Sequence, residues 1–213
     1  ERTGKALHLG LEPEPLGYFE TSTETVEFFE AMEKEHPNDA RLHEHLGVNY
    51  DTCHLAVEYE EAADAIGAFK AAGIRISKLH LSAALKLAPT AAAREQLAAF
   101  TEDVYLHQVV ERLLDGSLVR YRDLAVALAS DSSAEEWRIH FHIPLHSPDA
   151  DWFTSTRDHI GDVLDLLRDD PALCTHLEME TYTWEVLPGE MKNRDVVDQL
   201  AGEYDWTLAE LRA

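Results

Sequence analysis

Residues 46–82 read LGVNYDTCHLAVEYEEAADAIGAFKAAGIRISKLHLS. The stretch opens on a short apolar run, Leu46–Asp51, that suits a strand. It passes through "YEEAADAIGAFKAAG", whose spacing predicts a helix closed by Gly73, and ends on a second strand, "IRISKLHLS". Strand, helix, strand in that order is the unit of a parallel sheet with covering helices.

The same rhythm extends both ways. Upstream, "KALHLGLE" reads as a strand and "TSTETVEFFEAMEKEH" as a helix. Thr21-x-x-Glu24 gives that helix a capping box, and Val26, Phe29 and Met32 give it an apolar stripe. Downstream, "PTAAAREQLAAFTEDVYLHQVVERLLDG" from Pro89 to Gly116 reads as a long helical stretch, with a short helix in "YRDLAVALAS". Together they predict a helical insertion near residues 89–130. "EWRIHFHIPL" is a further strand. "STRDHIGDVLDLLRDD" is a helix capped by Ser155 and ended by Pro171, "THLEMETYTW" is a strand, and "NRDVVDQLAGEY" and "TLAELRA" are terminal helices. No internal repeat, low-complexity tract or linker divides the chain, so residues 1–213 are expected to form a single domain.

Composition narrows the function. The chain carries 41 Asp and Glu against 18 Lys and Arg, a formal charge of −23. Such a surface repels phosphate backbones and disfavours a nucleic-acid partner. No apolar run is long enough to span a membrane. Two cysteines far apart in sequence, Cys53 and Cys174, make no disulfide scaffold, so a reducing cytoplasm is the expected compartment.

Strand parity locates the chemistry. Side chains alternate across a strand. Leu7, Leu9 and Leu11 share a face opposite Ala6, His8, Gly10 and Glu12. Leu79 and Leu81 oppose Lys78, His80 and Ser82. Trp137, Ile139, Phe141 and Ile143 oppose Arg138, His140 and His142, and Leu177 and Met179 oppose Glu178, Glu180 and Tyr182. Parallel strands covered on both faces should be apolar throughout. These have a polar face rich in Glu, Asp and His near their C-terminal ends. That face is either solvated or lines the mouth of a closed barrel, and its residue types favour the mouth.

Taken singly, each group has an ordinary reading. Glu12 in "LEPEP" is equally an exposed turn acid. His80 is a structural histidine. Cys53 beside His54 reads as a buried structural thiol, since adjacent side chains point apart and nothing else activates it. His140 and His142 share a face about 7 Å apart. Together, Glu, Asp/His, His, His and Glu at five strand ends form a mixed carboxylate and imidazole set. It suits Zn²⁺, Mn²⁺, Fe²⁺ or Co²⁺, with Mg²⁺ also admitted.

"LEPEP", "YDTCHLAVEYE", "KLHLS" and "LEMETYTW", in that order, resemble the second half of the xylose isomerase-like TIM barrels. That superfamily holds sugar (phosphate) isomerases and epimerases and the endonuclease IV group. "HLGLEPEPLG", "NYDTCHLAVE" and "WRIHFHIPL" are similar, more closely, to the EboE family of metabolite traffic proteins from bacterial ebo gene clusters. The resemblance implies the C-terminal part of a (β/α)8 barrel, about strands five to eight, completed by a missing N-terminal half or another chain. It implies a divalent metal held by Glu12, Asp51, His80 and Glu180, with His54 and His142 as further ligands. His140 stands where endonuclease IV has Asp, which argues against a trinuclear site. Glu12 and Glu180 are the implied proton carriers, and His54, His140, Lys78 and Trp184 are assigned to substrate. The implied activity is proton transfer beside a carbonyl on a sugar-like or precursor metabolite. A non-catalytic metabolite binder is the alternative, and a phosphodiesterase ranks below both on charge. Glu12 and Asp51 lie 39 residues apart and Asp51 and His80 29 apart, against the ~30 per unit of a ~250-residue barrel.

Overall fold

The computed structural model describes residues 4, 7–189, 191–192 and 194–213. The expected N-terminal strand began at Lys5, and Lys5 and Ala6 lie outside the described residues, as does Asn193 at the head of a terminal helix. Two sheets organise the rest. One is parallel, in the order β1 (Leu9–Leu11), β2 (Leu46–Asp51), β3 (Ile76–Leu81), β9 (Leu177–Met179). The other is antiparallel, in the order β6 (Leu118–Tyr121), β5 (Val109–Arg112), β7 (Glu136–Ile143), β4 (Ala83–Leu87), β8 (Thr154–Ser155). The architecture is mixed α/β, and no closed barrel is present among the described residues.

The parallel sheet follows the rhythm of the sequence. Helices α1 (Ser22–Glu35) and α2 (Arg41–His45) connect β1 to β2, and α3 (Thr52–Val57) and α4 (Ala62–Ala71) connect β2 to β3. The capping box forms as expected: Thr21 accepts from Glu24 N–H while the Glu24 carboxylate accepts from Thr21 N–H. Gly73, at φ 68°, ends α4 in the left-handed conformation. Helix α7 (Arg157–Asp169) buries Ile160, Val163, Leu164 and Leu167 and is the last helix before β9. Its N-cap is Thr156 rather than Ser155, which lies in β8. The two expected terminal helices are one, α8 (Val196–Glu210), because neither glycine nor proline separates Tyr204 from Thr207 and Asp195 caps the helix through Val197 and Asp198 N–H.

Residues 89–130 are corrected. Helix α5 (Ala91–Leu97) and a short 3-10 turn form where the alanine-rich run predicts them. The remainder is a β-hairpin, β5–β6, followed by α6 (Leu124–Leu128). The Val109-Val110 pair is β-branched, and Asp115-Gly116 supplies the turn, with Gly116 at φ 83°. Hairpin and strand β7 are sealed by buried Glu111, which accepts from Trp137 Nε1–H at 3.0 Å and Tyr121 O–H at 3.0 Å. Strand β7 is also corrected: it runs antiparallel to β4 and β5 instead of joining the parallel sheet.

The two sheets share a spine. β3 and β4 are separated by Ser82 alone, so one extended run from Ile76 to Leu87 serves both. Trp137, Ile139, Phe141 and Ile143 of β7 join Leu79, Leu81, Leu85 and the α7 side chains in one core. Leu7 and Leu9 are 67% and 58% exposed, since β1 has a neighbour on one side only among the described residues.

Close strand approach makes one glycine indispensable. A Cβ on Gly47 would lie 2.5 Å from both the Arg75 carbonyl oxygen and Ser77 Oγ, at the place where the β2–β3 register shifts. Gly47→Ala is expected to cost about 2–3 kcal/mol in urea unfolding, by overpacking against backbone.

Candidate metal centre

The C-terminal ends of the parallel strands converge on His80. Its Nδ1 lies 3.0 Å from Glu12 Oε1, 2.9 Å from Glu180 Oε2, 3.6 Å from Asp51 Oδ2 and 3.1 Å from Asn49 Nδ2. One hydrogen cannot serve three acceptors, and Asp51 Oδ2 and Glu180 Oε2 are buried without a hydrogen bond of good geometry. One ligand atom from each of Glu12, Asp51, His80 and Glu180 lies within 4.8 Å of the others. Burial pulls the His80 imidazole down, but the Glu12 and Glu180 carboxylates more than offset this and push it up to about 10. Without an ion, the cluster holds a proton where three carboxylates demand positive charge.

Asp51 is placed by local chain chemistry. It ends β2 and caps α3, with Oδ1 accepting from Cys53 N–H at 2.7 Å, His54 N–H at 2.9 Å and Ser82 O–H at 2.7 Å. This leaves Oδ2 as the oxygen that faces His80. Thr52 stitches the same corner to the β3–β4 junction, donating to Ser82 O at 2.7 Å and accepting from Ser82 N–H at 2.9 Å. The curl of the chain at α3 turns His54 back toward the site, as different parity at Asp51 and His54 requires.

Three imidazoles form a second group. His54 Nε2 is 3.0 Å from His140 Nε2, which is 3.2 Å from His142 Nε2. Their outer nitrogens all face oxygen: His54 Nδ1 faces Pro13 O at 3.2 Å, His140 Nδ1 faces Gln108 Oε1 at 2.6 Å, and His142 Nδ1 faces Glu180 O at 2.7 Å. Those partners orient a hydrogen outward on Nδ1 of each ring and turn the three Nε2 atoms toward one another. Burial, then neighbouring His54, holds His140 well below its ordinary value and His142 at about 4. Two imidazoles kept neutral by burial, His140 and His142, with His54 turned toward them and all three outer nitrogens held by oxygen, have the form of metal ligands. Asp51 can join His54 and His142 around a common point, and Glu14 can join His54 and His140.

The remaining assignments divide. Lys78 shares the His80 face, but its ammonium is tied to Glu178 Oε2 at 2.8 Å, and it is Glu180 rather than Glu178 that enters the cluster. Trp184 is buried in the core with Lys192 Nζ 6.0 Å from its ring, so packing accounts for it. Cys53 is fully buried, and burial with the Asp51 charge pushes its thiol well up, which suits a structural role and opposes a nucleophile. Sequence reasoning missed Glu14. Although the residue is exposed at the surface, its carboxyl is raised by partial loss of solvent and by Glu12, Asp51 and Glu180, against the pull of His54. The prolines on both sides of it were the available signal. Reasoning also passed over Tyr182, whose ring packs 4.5 Å from His142.

A cavity of about 620 Å³ lined by Phe100, Trp152, Phe153, His146 and Arg194 shares no residue with either group. Convergence of ligand atoms, not concavity, locates the centre. No family model, curated protein or solved structure matches the chain.

Proposed function

We propose that the chain is the C-terminal part of a xylose isomerase-like (β/α)8 barrel that holds a divalent metal and moves a proton beside a carbonyl of a small metabolite. The observation that carries this reading is the pair of buried, unbonded carboxylate oxygens, Asp51 Oδ2 and Glu180 Oε2, aimed at one imidazole nitrogen together with Glu12. Three carboxylates and an imidazole fit Zn²⁺, Mn²⁺, Fe²⁺, Co²⁺ or Mg²⁺. When bound, such an ion supplies a Lewis acid for adjacent substrate oxygens. Glu12, Asp51, His80 and Glu180 would hold it, and His54, His140 and His142 would hold a second.

The chain's own groups supply the rest. Glu12 and Glu180 approach His80 from β1 and from the end of β9, and their side chains are 29% and 30% exposed, open enough to exchange a proton with substrate. Four parallel strands in the sequential order β1-β2-β3-β9 match one arc of a barrel. The single-sided β1 and its exposed leucines support completion by further strands, from the same protein or another chain. The formal charge of −23 supports a small-molecule role over nucleic acid.

A second reading, a non-catalytic metabolite binder, is favoured by the depth of the imidazole group, whose members are 0–4% exposed. Metal analysis comes first: Glu12→Ala is expected to lose at least tenfold in affinity for Mn²⁺ or Zn²⁺, and full retention of metal refutes the site. Solvent deuterium incorporation into candidate hydroxy-carbonyl compounds then separates the two readings. Incorporation that vanishes in Glu180→Gln supports the enzyme; tight binding of a compound with no incorporation supports the binder.

A further inference from the structure

The segment between α5 and β5, residues 101–107, has no regular secondary structure, yet it is firmly built. Glu102 accepts from Tyr105 N–H at 2.8 Å and pairs with His107 Nε2 at 2.9 Å, and it also accepts from Val104 N–H. His107 is buried, with Nδ1 3.1 Å from the carbonyl oxygen of His140. The next residue, Gln108, orients the His140 ring itself. The base of this loop is therefore part of the support of the imidazole group.

Its tip faces the other way. Val104, Tyr105 and Leu106 are 70%, 39% and 45% exposed. The Tyr105 ring meets Tyr182 edge-on at 5.1 Å, and Tyr182 in turn covers His142, with its hydroxyl 3.4 Å from His140 Nε2. An aromatic wall thus runs from the imidazoles to solvent. An exposed apolar patch on a pinned loop beside a ligand centre marks a place where a ligand buries apolar surface.

Outside the ions themselves, the charge around the centre disfavours a phosphorylated ligand. Glu12, Glu14, Asp51 and Glu180 surround the centre. Beyond the ions themselves, phosphate recognition draws on guanidinium, ammonium or open helix N–H groups. Lys78 is held by Glu178, and the N-terminus of α3 is filled by the Asp51 carboxylate.

From this wall and this charge, we infer that the natural ligand is an unphosphorylated compound that pairs metal-chelating oxygens with an aromatic ring lying against Tyr105 and Tyr182. The inference rests on the metal centre proposed above. Hydroxamates test it, because they share one chelating head and differ in the tail. The zinc-loaded protein should bind benzohydroxamate about tenfold tighter than acetohydroxamate, and phosphoglycolohydroxamate more weakly than either. Tyr105→Ala should reduce the phenyl preference to under about threefold, and Tyr105→Phe should retain it, since the ring and not the hydroxyl forms the wall. A zinc-loaded protein with no phenyl preference, with a preference untouched by Tyr105→Ala, or with phosphoglycolohydroxamate bound tightest overturns the ligand class and leaves the metal centre standing. A protein that takes up no zinc overturns both.

Discussion

Asp51→Asn and Asp51→Ala should fail in different ways. Asparagine keeps an oxygen in the position of Oδ1, where Cys53 N–H, His54 N–H and Ser82 O–H converge. It replaces Oδ2, the oxygen facing His80, with an amide that cannot ligate a cation. The expected result is a protein of near-normal apo stability that has lost at least a hundredfold in metal affinity. Relief of repulsion among the crowded carboxylates can even raise its melting temperature. Alanine removes both functions. Three buried donors lose a charged acceptor and α3 loses its cap, a cost of about 3–5 kcal/mol. For a chain of this size that is roughly 10 °C in Tm. Calorimetry of the two variants with and without metal checks the assignment. Equal destabilisation by Asn and Ala would show that Oδ2, too, serves the fold.

Metal uptake should expel a proton, and the sign can be worked through from His80. In the free protein its imidazole is pushed up to about 10, so at pH 8 it carries a proton that a ligating nitrogen cannot keep. Loading at pH 8 is expected to release about one proton per ion bound at this group, read with a pH indicator in weak buffer. The same shift governs stability. The raised value in the folded state means that the folded protein binds more protons than the unfolded chain between about 6.5 and 10. Its contribution is complete below 6.5 and disappears as pH rises through 10, a loss on the order of 3 kcal/mol after allowance for its coupling to three carboxylates. The apo protein should therefore weaken in alkali, and the loaded protein should not. His80→Gln should abolish both the proton release and the alkaline loss. An apo protein with a flat profile from pH 7 to 10 would contradict the geometry around Nδ1.

Much of this was legible in the sequence, and what was not has physical causes. The parallel strands and their helices follow from local pattern: Thr21 and Glu24 cap α1, Gly73 closes α4, and parity places His80 and Glu12 on polar faces. Those signals are short-range, and tertiary packing agrees with them. The hairpin at residues 109–121 was missed because the alanine-rich run of α5 extends its period by chance into a segment whose strand character lies in Val109-Val110 and in the Asp115-Gly116 turn. The direction of β7 was missed because strand parity is blind to orientation: His140 and His142 share a face whether their strand runs parallel or antiparallel. Only the partner strands decide that, and β4 arises from a continuation of β3 with no turn signal to announce it. Glu14 was missed for a related reason. Parity stops at Glu12, and the proline turn that brings the second carboxylate back belongs to no periodic element.

The division of ligands between the sheets has a further consequence. The carboxylates come from the ends of the parallel strands and from the turn after β9, while two of the imidazoles stand on an antiparallel strand. Ions shared through Asp51 and His54 would tie β1, β2, β3, β7 and the turn after β9 together. Such a tie acts as a reversible crosslink between segments up to 168 residues apart (Glu12 to Glu180), closing loops that the unfolded chain would otherwise leave open. A chelator would then act on this protein as a reducing agent acts on a disulfide-linked one.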